Sequence, residues 1–450
     1  SSSPIRPTGA GLKRSPAASP ELSALFLTLL CLALAPTAVR AQGIDTLPAP
    51  SGVAAGLFRR YADGVAKVEV VEVGSGAKAL TGSAFFVSGD GLLITNYHVV
   101  ARLVRDPDSY RVQLIDHSGA VRSADVLVVD VVDDLAVLET EPRPDDPYFT
   151  FAAAPLDQGQ RLYALGHPLE LGLAIVEGTY NGLLRHSLYP RIHFTGALNP
   201  GMSGGPTIDA AGRVVGINVS TDGNEVSFLV PGGRAATLVA QVEAPGFQAP
   251  EDLSAEVARQ LRAYQRTYLN TLFTKGVPVT ELGGATLPTD PAPYFNCWAD
   301  ADDDPDAAYR SVVHRCSTDD EVFLAEDHWS GVVEFQHQVL VADRMPAAQF
   351  YRIYERAFAE GTDALDDGGD DVTDFRCITR NVRQGGARWR TAFCVRAYTQ
   401  FDGLYDAVFR AALLGRADTG VITELTLSGV TYDNAVAVSR RFFGLVRWKP

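Results

Sequence analysis

The sequence predicts an all-β domain, a sandwich or a barrel, from about Ser51 to Ala244, followed by a disulfide-containing α+β region. Two observations carry this. Strand-like runs rich in valine recur at short intervals, with Gly, Pro, Asn or Asp between most of them. From Pro250 the apolar spacing becomes helical, and cysteines then appear at Cys297, Cys316, Cys377 and Cys394. At 450 residues the chain exceeds what one hydrophobic core organises, so two or three domains are expected.

The first 41 residues differ from the rest. Arg6, Lys13 and Arg14 precede an apolar run over 22–35, and small residues end at Ala38-Val39-Arg40-Ala41, the order of a secretory signal cleaved after Ala41. The run is short for a membrane span; an uncleaved N-terminal anchor is the alternative, and the mass of the mature N-terminus decides between them. The expectation is an exported protein, periplasmic or secreted, with no integral membrane span once the signal is removed. Cleavage removes four basic residues (Arg6, Lys13, Arg14, Arg40) and one acidic residue (Glu21), leaving 35 positive against 53 negative charges, or −18. That sign argues against nucleic acid as a partner.

A short helix over 53–62 leads to VAKVEVVEV (65–73). The runs SAFFV, LLITN, YRVQLI, ADVLVVDVV, LAVLE, RLYALG, AIVEGTYNG and RIHFTG follow, then the hairpin IDAAGRVVGI and EVSFLVP. In the next segment Leu253, Val257, Leu261, Tyr264, Tyr268 and Leu272 lie on one helical face, with Asp252 or Ser254 as cap. A proline-rich stretch, GGATLPTDPAPYF, leads into the cysteine-bearing part. There, cysteine pair, strand and helix occur twice, which either a tandem repeat or plain α+β alternation explains. Cleavage of the signal also removes Cys31, and the four cysteines left in the exported chain predict disulfides, Cys297 with Cys316 and Cys377 with Cys394 among three connectivities, with spacings that suggest no zinc site. The acidic runs at 300–307 and 363–371 do not fit the calcium-loop template and read as solvated loops. No metal and no cofactor are expected.

The stretch NPGMSGGPT (199–207) sets Ser203 among glycines. Such a turn is ordinary, so its context decides. A serine hydroxyl becomes a nucleophile only with an imidazole to take its proton and a carboxylate to orient that ring. The β region offers His98, His117, His167, His186 and His193. His98 is read as ending the strand LLITNYHVV, at the edge of a rigid scaffold; solvated or structural roles suffice for the others. In DDLAVLE both Asp133 and Asp134 are available, and Asp134, directly before the apolar strand, is expected beneath His98, although either alone reads as a turn residue. The order histidine, aspartate, serine, separated by 36 and 69 residues, is the one used on paired β-barrels. Gly201 allows its N–H and that of Ser203 to converge on an oxyanion. Gly204 and Gly205 are read as leaving room for a substrate chain.

With these residues in view, the sequence resembles the trypsin-like (chymotrypsin-fold) serine endopeptidases, most of all the bacterial HtrA/Deg branch. TGSAFFVSGDGLLITNYHVV, DDLAVLE, LYALGHPLELGLAIVEGTYNGLLR, NPGMSGGPTIDAAGRVVGINVS and EVSFLVPGG match in order between about Thr81 and Gly233. The resemblance implies two six-stranded barrels with the cleft between them, and His98, Asp134 and Ser203 as triad. It further implies hydrolysis of protein or peptide substrates through an acyl-enzyme. Met202 stands where digestive relatives carry an aspartate that pairs with a freed N-terminus, so that activation is not available here. Nothing after Pro250 resembles the PDZ modules of the branch; cage-like oligomers are therefore not carried over, and the oligomeric state stays open. Ala197 falls at the pocket-floor position, with Leu198, Ile217 and Val219 as further pocket residues, so cleavage after Val, Ala, Leu or similar residues is expected. A silent or latent protease-like scaffold is the competing reading.

The expected organisation is a signal at 1–41, an N-terminal segment with a short helix at 42–64 and a protease domain at 65–245. A helix and linker at 250–290 and an α+β C-terminal region at 291–450 follow.

Overall fold

The computed structural model of the protein describes residues 52–449 except 143–146, 155, 222–225, 275, 303–306, 319, 361–364, 366 and 367. The expected signal at 1–41 and parts of the two acidic runs lie outside the described residues. Helix α1 (Gly52–Tyr61) leads into β1 (Val65–Glu72), β2 (Lys78–Phe86) and β3 (Leu92–Thr95). Helix α2 (Tyr97–Arg105) then precedes β4 (Tyr110–Ile115), β5 (Val121–Asp130) and β6 (Leu135–Glu139). These six strands close into an antiparallel barrel in the order β1-β2-β3-β6-β5-β4. A second barrel follows, built from β7 (Arg161–Gly166), β8 (Ala174–Leu183), β9 (Ile192–Phe194), β10 (Pro206–Ile208), β11 (Val214–Thr221) and β12 (Ser227–Pro231). The pair is the chymotrypsin-like double barrel. Strand alternation divides the work of burial: in β2, Phe86 packs with barrel-1 strands and α2, while its neighbour Phe85 faces the barrel-2 residues Leu165 and Ile217.

After α3 (Gly232–Val242), helix α4 (Leu253–Leu269) starts at Asp252, whose side chain accepts a hydrogen bond from the Ala255 N–H. Ser254, the other candidate cap, instead donates to the Val104 carbonyl of α2 at 2.8 Å. Val257 and Leu261 on the predicted face are buried in the same cluster as Val99 and Val100 of α2. Helix α4 thus docks the C-terminal region onto barrel 1.

That region contains β13 (Val279–Leu282), β14 (Ala285–Pro288), β15 (Asn296–Asp302), β16 (Tyr309–Ser317), β17 (Val322–Ala325), β18 (His328–Ser330) and β19 (Val333–Ala342). Helix α5 (Ala347–Glu360), β20 (Arg376–Gln384), β21 (Ala387–Ala397), β22 (Tyr405–Leu413), β23 (Thr419–Val430), α6 (Tyr432–Leu445) and β24 (Arg447–Trp448) complete it. Seven strands form one sheet, β15-β16-β19-β23-β22-β21-β20. The disulfides Cys297–Cys316 and Cys377–Cys394 each join residues directly opposite in an edge hairpin. The two cysteine–strand–helix segments are built differently. Strand β19 pairs directly with β16, whereas β22 stands between β21 and β23. Val421 packs with α6 and its neighbour Ile422 with α5, so the two helices cover opposite faces. Among the described residues no helix is long and apolar enough to cross a membrane.

Candidate active site

His98 does not end a strand. Strand β3 stops at Thr95, and His98 lies in the first turn of α2, where the backbone N–H groups have no helical acceptors. Asp134 supplies one: its Oδ1 accepts from the His98 N–H at 2.9 Å, while Oδ2 lies 2.7 Å from His98 Nδ1. The same carboxylate therefore caps the helix and orients the ring. Asp134 adopts φ 59°, a left-handed conformation that aspartate tolerates, and its carbonyl accepts from the Asn96 side chain at 2.7 Å. Burial works to lower the His98 pKa, but the charge and hydrogen bond of Asp134 outweigh it, and the net shift is upward. Asp133 points elsewhere, towards Arg234 and Arg191 at 3.5 and 4.0 Å. Burial and the charge of Asp130 raise its pKa against the pull of these two arginines.

Ser203 lies on the turn before β10, and barrel 1 holds its backbone: the Ser83 N–H donates to the Ser203 carbonyl at 2.7 Å. Its Oγ donates to the Val219 carbonyl at 3.1 Å rather than to His98. Gly201 has φ 94°, and a Cβ there would stand 2.4 Å from the His167 carbonyl. The Pro200 carbonyl accepts from the Leu169 N–H at 3.0 Å. Because a trans peptide sets C=O and N–H in opposite directions, this bond turns the Gly201 N–H away from Leu169. Gly204 and Gly205 do not open room for substrate. A Cβ at either would lie 2.2 Å from the Ser83 carbonyl or 2.1 Å from the Leu165 carbonyl, so they permit close packing of the turn on the two barrels.

Two residues that sequence reasoning passed over fix this turn. Ser83 Oγ accepts from the His167 N–H at 2.9 Å and donates to the Gly201 carbonyl at 2.8 Å. Asn218 donates to the Leu165 and Met202 carbonyls and accepts from Thr207 Oγ1. Both are fully buried, and the sequence signal for them is weak: a single polar residue beside apolar ones, in SAFF for Ser83 and VVGINV for Asn218. His167 is held down to about 4 by burial, with the charges of Lys67 and His117 adding, and so is neutral at pH 7.

Beside Ser203 lies a small cavity of about 180 Å³, lined by Leu198, Pro200, Asn218, Val219, Ser220 and Thr221 among others, with no charged side chain. Of the four predicted pocket residues, Leu198 and Val219 reach it. Ile217 is buried in the core between the barrels, and Ala197 is exposed outside the cavity. In the C-terminal region Cys297, His314 and Cys316 converge, but both thiols are consumed by the disulfide and hold no metal.

The chymotrypsin-like double barrel carries a His–Asp pair on one half and a serine turn on the other. Residues 82–217 match the family described as trypsin-like peptidase domain. The chain is 34% identical over 176 residues to a probable periplasmic serine endoprotease DegP-like of Bartonella henselae, covering 37% of this chain and 34% of that protein. It is 34% identical over 155 residues to the chloroplastic Protease Do-like 5 of Arabidopsis thaliana, covering 31% of this chain and 48% of that one. The crystal structure of Deg5 aligns over 43% of this chain and 95% of its own, with 28% identity and a TM-score of 0.38. The chain thus spans between a third and a half of the length of these curated relatives.

Proposed function

We propose that this chain is an exported serine endopeptidase of the HtrA/Deg kind, in which Ser203 attacks the peptide carbonyl, His98 is general base and acid, and Asp134 orients His98. The observation that carries the reading is the two-point hold of Asp134 on the backbone and ring of His98. With Nδ1–H given to Asp134, Nε2 is the proton acceptor. Attack requires the Ser203 side chain to leave the Val219 carbonyl and give its proton to that nitrogen. The oxyanion of the tetrahedral intermediate is received by the N–H groups of Gly201 and Ser203, neither of which has an acceptor among the described residues. His98 then protonates the leaving amine, and water, activated by the same imidazole, hydrolyses the acyl-enzyme. The small uncharged cavity beside Ser203 supports a preference for Val, Ala or Leu before the scissile bond. Export is supported by the signal-like order of 1–41 and by the periplasmic relatives.

The bond from Ser203 Oγ to Val219 favours a second reading, a latent protease-like scaffold. A fluorophosphonate probe separates the two. Covalent labelling of the native chain that is lost in Ser203→Ala supports the peptidase; no labelling between pH 6 and 9 supports the scaffold. Peptide-library profiling that returned Arg or Lys before the cleaved bond would reject the pocket assignment.

A further inference from the structure

The cleft is not built by the barrels alone. In β17 the alternate residues Val322 and Leu324 are buried in the barrel-1 cluster, and Phe323 between them is only partly buried at the edge of that cluster. Its ring meets His98 edge-on, with centroids 5.8 Å apart and planes at 67°, and Trp329 of β18 backs it at 5.0 Å and 84°. The hairpin is anchored to both barrels: Glu326 pairs with Arg102 of α2, and Asp320 accepts from the Leu188 N–H and from Ser187 Oγ. These contacts fix the aromatic pair relative to His98.

A plug would fill the space in front of His98, and this hairpin does not. A cavity of about 790 Å³ remains between it and the His98–Asp134 pair, and it shares Val219 and Ser220 with the small cavity beside Ser203. An extended chain running along that strand edge, with one side chain in the small cavity, lays the preceding residue in the larger one. On the hairpin side the larger cavity is faced by Phe323 and Trp329, with Val131, Val132 and Phe228 nearby, while Arg185, Arg191, Asp320 and Glu321 give other parts of its wall charge.

We propose that Phe323, backed by Trp329, is a specificity-determining wall that the C-terminal region adds to the cleft, selecting an aromatic or bulky apolar side chain in the residue before the one held beside Ser203. The proposal rests on the peptidase reading of the cleft. Edge-to-face and offset contacts favour an aromatic partner there by roughly three- to tenfold in affinity.

Its test uses binding, so that it does not depend on turnover. The full chain carrying Ser203→Ala is titrated with two hexapeptides, Phe-Ala and Gly-Ala at the two positions, and binding is followed by calorimetry. The expected result is roughly three- to tenfold tighter binding of the Phe-Ala peptide. Adding Phe323→Ala removes that preference, bringing Phe-Ala binding to the level of Gly-Ala binding in the same variant, and Phe323→Leu, which keeps an apolar side chain at the site, retains part of it. Thermal melts of all three variants establish that the fold is kept. An equal preference in Phe323→Ala, or no preference in the parent because neither peptide binds or both bind alike, overturns the proposal. Failure of the peptidase reading is seen separately, as absent probe labelling of the native chain.

Discussion

Asp134 performs two tasks with one carboxylate, ending the unsatisfied first turn of α2 and setting the tautomer of His98. Its charge raises the His98 pKa above the usual value of about 6.5. General-base catalysis needs the neutral ring, so kcat/KM is expected to fall as pH drops through a midpoint above about 6.5. In Asp134→Asn the raising charge is gone and burial, which lowers the pKa, remains; the acid limb moves to lower pH, and the rate falls by about ten-thousandfold, the loss this exchange brings in other triads. A pH–rate profile of both proteins checks the two effects together. At Gly201 the constraint is steric. Gly201→Ala must either shift the turn or collide with the His167 carbonyl, and misplacing that N–H is expected to lower kcat by about a hundred- to a thousandfold with little change in KM.

Among the elements, the turn at 168–171 and helix α4 act on the site from behind. Glu170 receives hydrogen bonds from Lys67 and Lys78 of barrel 1, which hold its carboxyl down to about 2. The adjoining Leu169 N–H holds the Pro200 carbonyl and so aims the Gly201 N–H. Because the Glu170 pKa is depressed, its contribution is present above the ordinary value of about 4.3 and is lost as pH falls towards 2. The carboxylate is half exposed, so screening keeps the effect small. Glu170→Ala is expected to slow turnover by about two- to fivefold, and added salt should narrow the gap between variant and native chain. On α4, Gln260 accepts from the Val131 N–H and donates to the Val129 carbonyl, gripping the segment that leads to Asp134. Gln260→Ala leaves both backbone groups without that partner and is expected to cost about 1–3 kcal/mol in chemical denaturation.

At the scale of the whole molecule, barrel 1 and the C-terminal region share one core: Val257 and Leu261 of α4, Val322 and Leu324 of β17, and Phe401 and Leu404 join Val99, Val100 and Val104 of α2. Each such side chain contributes about 1.5–3 kcal/mol by burial, so a chain ending at residue 245 should lose several kcal/mol, whereas residues 52–449 should melt in one calorimetric transition. The strands and the helical face of α4 are legible in the sequence because alternation and 3.6-residue spacing are local signals. The juxtaposition of His98 and Asp134 is legible because reaction chemistry requires it. The helical setting of His98 is not, since LLITNYHVV is a short apolar run that fits strand and helix alike, and a carboxylate 36 residues away decides it. Phe323 is hidden for the same reason: a contact with His98 across 225 positions leaves no periodic trace.

The central claim is that His98 and Ser203 act as one catalytic unit. Its most direct measurement is hydrolysis of a peptide with Ala or Leu before the scissile bond by the native chain, Ser203→Ala, His98→Ala and the double variant. Each single change is expected to lower kcat by about a millionfold, with the double variant no slower than either. Native turnover no faster than that of Ser203→Ala, or losses that multiply in the double variant, would contradict it.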